Sequence, residues 1–131
     1  MQAFLTAMGP LLARLLLSVL FFYSGYGKLA APGPTAARLA GRSFPLATAG
    51  TFAAAFFELA VGVLIVLGLK ARGAALAAIA YLVLVSWLFH WHPAVSGDRG
   101  QMVQLLKNAS MAGGLLLLAV NGPGRASVDR G

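Results

Sequence analysis

Residues Ala49 to Leu69 read AGTFAAAFFELAVGVLIVLGL, an apolar run with one ionisable side chain, Glu58. A helix of about 20 residues rises about 30 Å, the thickness of a bilayer's hydrocarbon core, so this run predicts a transmembrane helix. Three runs of the same kind flank it, about Pro10 to Leu29, Ala74 to Trp91 and Met102 to Val120. None alternates apolar with polar residues as barrel strands do, and backbone groups in hydrocarbon must be satisfied within their own segment. The sequence therefore predicts an all-α fold, a polytopic transmembrane four-helix bundle. It forms a single membrane domain over residues 1–131, with 121–131 as a flexible tail.

Composition points the same way. Of 131 residues 60% are hydrophobic, against ten Lys and Arg and three Asp and Glu, a balance too apolar for a soluble domain. The net charge of +7 does not signal nucleic-acid binding, because the basic residues stand at the ends of apolar runs, where they anchor to anionic lipid. The absence of cysteine removes thiolate catalysis, disulfide exchange and Cys-ligated metal sites. Localisation in the cell membrane follows, multi-pass and of the bacterial inner-membrane type.

Pro10 suits the first position of the first span. A cleaved signal peptide is the competing reading of that run. Against it stand the lack of charge before the run, Arg14 within it, and an unconvincing small-x-small pattern near Lys28 to Ala31. Pro32, Pro34 and Pro45 make 31–48 a loop, with a short interfacial helix available from Thr35 to Arg42 that puts Arg38 and Arg42 on one face. The Gly68 to Gly73 turn folds spans two and three into a helical hairpin. Trp87 and Trp91 sit at headgroup level, His92-Pro93 closes the third span, and Asp98-Arg99 reads as a solvated loop pair. Basic residues balance across the membrane, with Lys70, Arg72, Arg125 and Arg130 on one side and Lys28, Arg38, Arg42 and Arg99 on the other. The compact Lys70/Arg72 turn and the basic tail incline the orientation towards cytoplasmic termini.

Glu58 falls about 15 Å into its span, where a carboxyl must face the bundle interior and be protonated or paired. Ala54 and Gly62 share its face and allow a neighbouring helix to approach closely. Two cations are candidate partners. Lys107, on a face with Gln104, Asn108 and Met111, lies about 8 Å deep and reaches towards the midplane; Arg14 heads a stripe in the first span with Ser18, Phe21, Gly25 and Lys28. Sequence leaves the choice open, and for each cation snorkelling to the interface is the structural alternative. For Glu58 that alternative is a hydrogen bond that merely locks the bundle. His90 and His92 do not share a helix face and have no neighbouring carboxylate, so no metal or haem site is predicted; His90 alone, on a stripe with Val83 and Ser86, is placed at a pocket mouth.

Arg14-Leu-Leu-Leu with Ser24-Gly25-Tyr26-Gly27-Lys28, then Glu58-Leu-Ala-Val-Gly62 leading to Leu67-Gly68-Leu69-Lys70-Ala71-Arg72, then Lys107-Asn108 with Gly113-Gly114, together resemble the DoxX family of small four-span membrane proteins. The resemblance covers roughly residues 10 to 120. It implies a four-helix membrane bundle, and a link to redox chemistry through members similar to subunits of a thiosulfate:quinone oxidoreductase or acting in oxidative-stress complexes. Arg14, Lys28, Glu58, Arg72, Lys107 and Asn108 carry over as positions of interest.

The resulting expectation is a quinone-associated oxidoreductase subunit. Glu58 and Lys107 manage protons as the catalytic pair, and Arg14, Lys28, Asn108 and His90 bind the quinone. Lipid, a redox partner subunit and a second copy of the chain are the expected partners. Two rivals stand beside it: a small proton-coupled exporter, which requires a carboxylate free of any fixed cation, and a non-catalytic assembly subunit.

Overall fold

The computed structural model describes residues 1–129. Arg130, counted above in the charge balance, and the end of the expected tail lie outside the described residues. Four spans cross the thickness of a membrane: α1 (Gln2–Ala30), α3 (Ala47–Leu67), a third running Ala71–Val95, and α6 (Arg99–Asn121). The third is α4 (Ala71–Val85), a π-helical turn over Ser86–Trp91 and a last turn, α5 (His92–Val95). The short helix α2 (Pro32–Gly41) lies against α3 between the first two spans.

The packing is that of a protein whose solvent is lipid. Small and mid-sized residues fill the core, with Ala55, Ala71, Ala75, Ala78, Ile65 and Leu115 fully buried, while Leu16, Val19, Leu84, Trp87, Leu117 and Val120 point outward. With no hydrophobic drive between helices in lipid, close packing and polar contacts hold the bundle together. Gly25 marks the closest approach of α1 to α3. A Cβ there would lie 2.8 Å from Leu59 Cγ and 3.0 Å from the Ala55 carbonyl. The α3–α4 hairpin turns at Gly68, whose φ of +67° ends α3 in the left-handed conformation that glycine adopts without steric cost.

The structure departs from the sequence reading in five places. Helix α1 starts at Gln2, with Pro10 inside it; a proline loses a hydrogen bond and crowds the carbonyl four residues back, but transmembrane helices tolerate it through local adjustment. The short helix expected from Thr35 to Arg42 forms but starts earlier, at Pro32, and ends at Gly41, since Pro32 occupies the first position, where its missing donor is harmless. His92-Pro93 does not close the third span. The π turn widens the backbone ahead of Pro93 and the chain continues helically to Val95. Asp98 is the N-cap of α6, its carboxylate accepting from the Gln101 N–H at 3.1 Å. The tail is docked: Val128 and Asp129 donate backbone N–H bonds to the Leu67 and Gly68 carbonyls at 2.9 and 3.0 Å.

Candidate functional site

The inward stripe of α3, Thr51, Ala55, Glu58, Gly62 and Ile65, faces the inward stripe of α1, Arg14, Ser18, Phe21 and Gly25. Helical side chains lean towards the N-terminus, so Lys28, one turn beyond Gly25, reaches back into the bundle. Its ammonium lies 2.9 Å from Glu58 Oε1 and 3.1 Å from Oε2, and donates to Ser24 Oγ at 2.7 Å. From α4 the Tyr81 hydroxyl donates to Glu58 Oε1, while its ring packs against Phe57 with centroids 4.9 Å apart. Glu58 is 3% exposed and the Lys28 side chain 15%, so the carboxylate is buried and the ammonium mostly so. Two cationic contacts and a phenolic donor satisfy a carboxylate that would otherwise be costly at this depth.

This arrangement corrects both expected partners of Glu58. Lys107 is exposed on the outer face of α6, in a shallow groove between α1 and α6 with Leu20, Gln104 and Ser110, and it does not meet the carboxylate. Arg14 is buried near the opposite end of the bundle. Its guanidinium donates to the Ile65 and Val66 carbonyls, the latter at 2.6 Å, and to the Ala126 carbonyl. A cation at the last carbonyls of α3 complements the negative end of the helix dipole, which is a structural task. Arg72 does the same for α6, donating to the Ala119 carbonyl at 3.1 Å and to that of Val120.

The Lys28–Glu58–Tyr81 cluster forms part of the wall of a cavity of about 600 Å³. Apolar and aromatic side chains from α1, α3, α4 and the π turn line most of it, among them Phe21, Phe57, Leu82 and Leu88. His90, Gln104 and Asn108 add polar groups from the π turn and α6, and Arg38 of α2, whose guanidinium lies 5.3 Å from the Phe89 ring centre, stands at its rim. Asn108 Nδ2 donates to Ser86 Oγ at 3.0 Å, tying α6 to the start of the π turn. Leu20, Gln104 and Asn108 line both this cavity and the groove that carries Lys107, so the two adjoin at the seam between α1 and α6. Of the expected site residues, then, Glu58, Lys28, His90 and Asn108 come together around one cavity, and Lys107 and Arg14 do not.

Tyr81 was missed by the sequence reading. Its signal was present, because it is the single hydroxyl-bearing residue between Ala74 and Val85, and a buried phenol needs a partner.

The model of the DoxX family matches residues 9–91, which include Lys28, Glu58, Tyr81 and His90. The chain belongs to the DoxX family. Two DoxX-family relatives from Escherichia coli K-12 run almost its full length. The inner membrane protein YphA is 32% identical over 122 residues, covering 92% of this chain and 87% of the relative. The inner membrane protein YqjF is 32% identical over 127 residues, covering 93% and 90%. No solved structure matches the chain. With four spans and these relatives, this DoxX protein is a multi-pass protein of the bacterial inner membrane.

Proposed function

We propose that this DoxX protein binds the headgroup of a membrane quinone in the cavity beside Glu58 and manages its protons, as a subunit of a quinone-linked redox system. The observation that carries this reading is a hydrogen-bonded carboxylate–ammonium–phenol cluster set in the wall of an apolar, partly aromatic cavity of about 600 Å³. A site for a small lipophilic ligand has this character: mostly apolar walls, with few polar groups that fix orientation. The residues present suit a quinone, since the aromatic walls match a flat ring and the Lys28 ammonium, with three N–H groups, is a donor for a ring oxygen. The adjoining seam between α1 and α6 offers an alkyl tail a way out to the lipid. A bound quinone supplies the electron-accepting chemistry. The protein holds the ring, keeps water out and stores a proton at Glu58, which can exchange one with Tyr81 along their hydrogen bond. In this reading a partner subunit supplies the electrons.

The exporter reading fits less well. A carboxylate that binds a substrate cation must be free of a fixed one, and Glu58 is held by Lys28 through both oxygens. Equilibrium binding of a short-chain 1,4-benzoquinone to the protein in lipid nanodiscs tests the proposal. Wild type should bind it saturably, with Lys28→Met weaker by about tenfold, the loss of one hydrogen bond, and Tyr81→Phe weakened less, through the loosened Glu58. Saturable binding of a hydrophobic cation in place of the quinone would contradict it.

A further inference from the structure

The cavity has a second polar pole, separate from the Glu58 cluster. His90 lines it from the π turn, nine residues beyond Tyr81, roughly 13 Å of axial rise on the same span. His90 Nδ1 lies 2.5 Å from Gln101 Oε1. A carbonyl oxygen only accepts, so Nδ1 carries a proton, and in the neutral imidazole Nε2 then keeps its lone pair. The surroundings hold this arrangement in place. Gln101 sits in the first turn of α6, fixed by the Asp98 cap, and the Asn108–Ser86 bond ties the π turn to the same helix. A π turn re-aims side chains relative to a regular helix and recurs at functional sites.

The two poles differ in chemistry. At the Glu58 pole the carboxylate oxygens are engaged by Lys28 and Tyr81 and the single Tyr81 O–H is given to Glu58, which leaves the Lys28 ammonium as the donor matched to a carbonyl or ether oxygen. At the His90 pole, Nε2 is an acceptor, matched to a hydroxyl. We infer that His90 Nε2 accepts a hydrogen bond from a ring hydroxyl, so that the cavity recognises the reduced, hydroxyl-bearing form of the ring, a hydroquinone or related phenol, in preference to a ring whose oxygens are all capped. This rests on the quinone reading of the cavity and adds to it the redox form recognised and the residue that selects it. His90 thereby touches the ligand, and Gln101 is a positioning residue that fixes the tautomer.

Two redox-inert probes test the inference without an electron donor: a short-chain 2-alkyl-4-methoxyphenol and the matching 1,4-dimethoxybenzene, titrated against the full-length protein in nanodiscs. The wild type is expected to bind the phenol about tenfold more tightly than the dimethoxy compound, the ratio one hydrogen bond gives. His90→Phe should bring the two affinities together by weakening the phenol alone, its unchanged dimethoxy affinity showing that the cavity still folds. Gln101→Leu, which frees the tautomer, should lower the ratio and leave the dimethoxy affinity unchanged. A ratio that survives in His90→Phe would overturn the assignment of His90 while leaving the quinone reading intact. Failure of the wild type to bind either probe, or the benzoquinone, would overturn both.

Discussion

Glu58 and Lys28 are stable in the bundle only because each has the other. An intramembrane charge left alone faces several kcal/mol of desolvation, and removing one member of a buried pair strands its partner. Glu58→Ala should therefore destabilise the folded protein by about 3–5 kcal/mol in detergent unfolding experiments, since Lys28 is left with only Ser24. Combining Lys28→Met with Glu58→Leu should recover most of that loss, because two apolar side chains fill the space without a charge to satisfy. A double variant as unstable as Glu58→Ala would mean that the pair acts through packing and not through charge. The need for a partner was legible in the sequence, because ten residues of helix place Glu58 near the midplane whatever the neighbours. Its identity was not. Rise along a helix gives depth but not the rotation of the facing helix, so Lys107 and Arg14 looked equally available and Lys28 was not weighed as the partner, although α6 turns its lysine outward.

At the scale of elements, the cluster depends on how closely α1 lies to α3. Gly25 sets that distance, and Gly62 repeats it one turn pair further along, where a Cβ would stand 3.0 Å from the Phe22 ring. Gly25→Val should cost about 1–3 kcal/mol by forcing Leu59 and the α3 backbone away, and should weaken quinone binding with it, as the Lys28–Glu58 contact lengthens. Thermal unfolding and the binding titration would check both halves. The cap of α6 is a separate test: Asp98→Ala removes the acceptor for the Gln101 N–H and should cost about 1 kcal/mol. The four spans were legible from hydropathy, because lipid demands long apolar helices. Helix α2 was half legible, since Pro32 and Pro34 read as breakers although Pro32 in fact opens the helix. The π turn was not legible at all. Nothing in Ser86-Trp87-Leu88-Phe89-His90-Trp91 signals a wider turn until Pro93 is seen to lie within the same span.

Across the whole molecule the two ends of the bundle are built differently. One end is stapled: Arg14 covers the last carbonyls of α3, Arg72 those of α6, and Asp129 accepts from the Ala71 N–H at 3.0 Å, capping the start of α4. The other end carries the cavity, α2 and the π turn, and is the end with room for a ligand. The staple has a pH signature. Hydrogen bonds from the backbone N–H groups of Ala71 and then Lys70 hold the Asp129 carboxyl below the usual carboxylate range. Because the folded value lies below the unfolded one, the contribution is fully present above about pH 4 and is lost as pH falls through the lowered value. The amide resonances of Val128 and Asp129 should accordingly shift towards unstructured values in acid, and Asp129→Asn should remove that step. A tail that stays docked in Asp129→Ala at neutral pH would show that Asp129 does not hold it. The sequence offered no sign of this staple. A short segment rich in Gly, Pro and Ser reads as flexible when nothing marks the carbonyls it will cover.

The account stands most directly on what the cavity holds in a native membrane. Purified under mild detergent from its bacterial membrane and extracted for mass spectrometry, the wild-type protein should carry quinone or hydroquinone near one per chain, and Glu58→Gln should carry little. Equal amounts in both proteins, or none in the wild type beside an abundant second lipid class, would contradict the claim that the Lys28–Glu58–Tyr81 cluster is a quinone site.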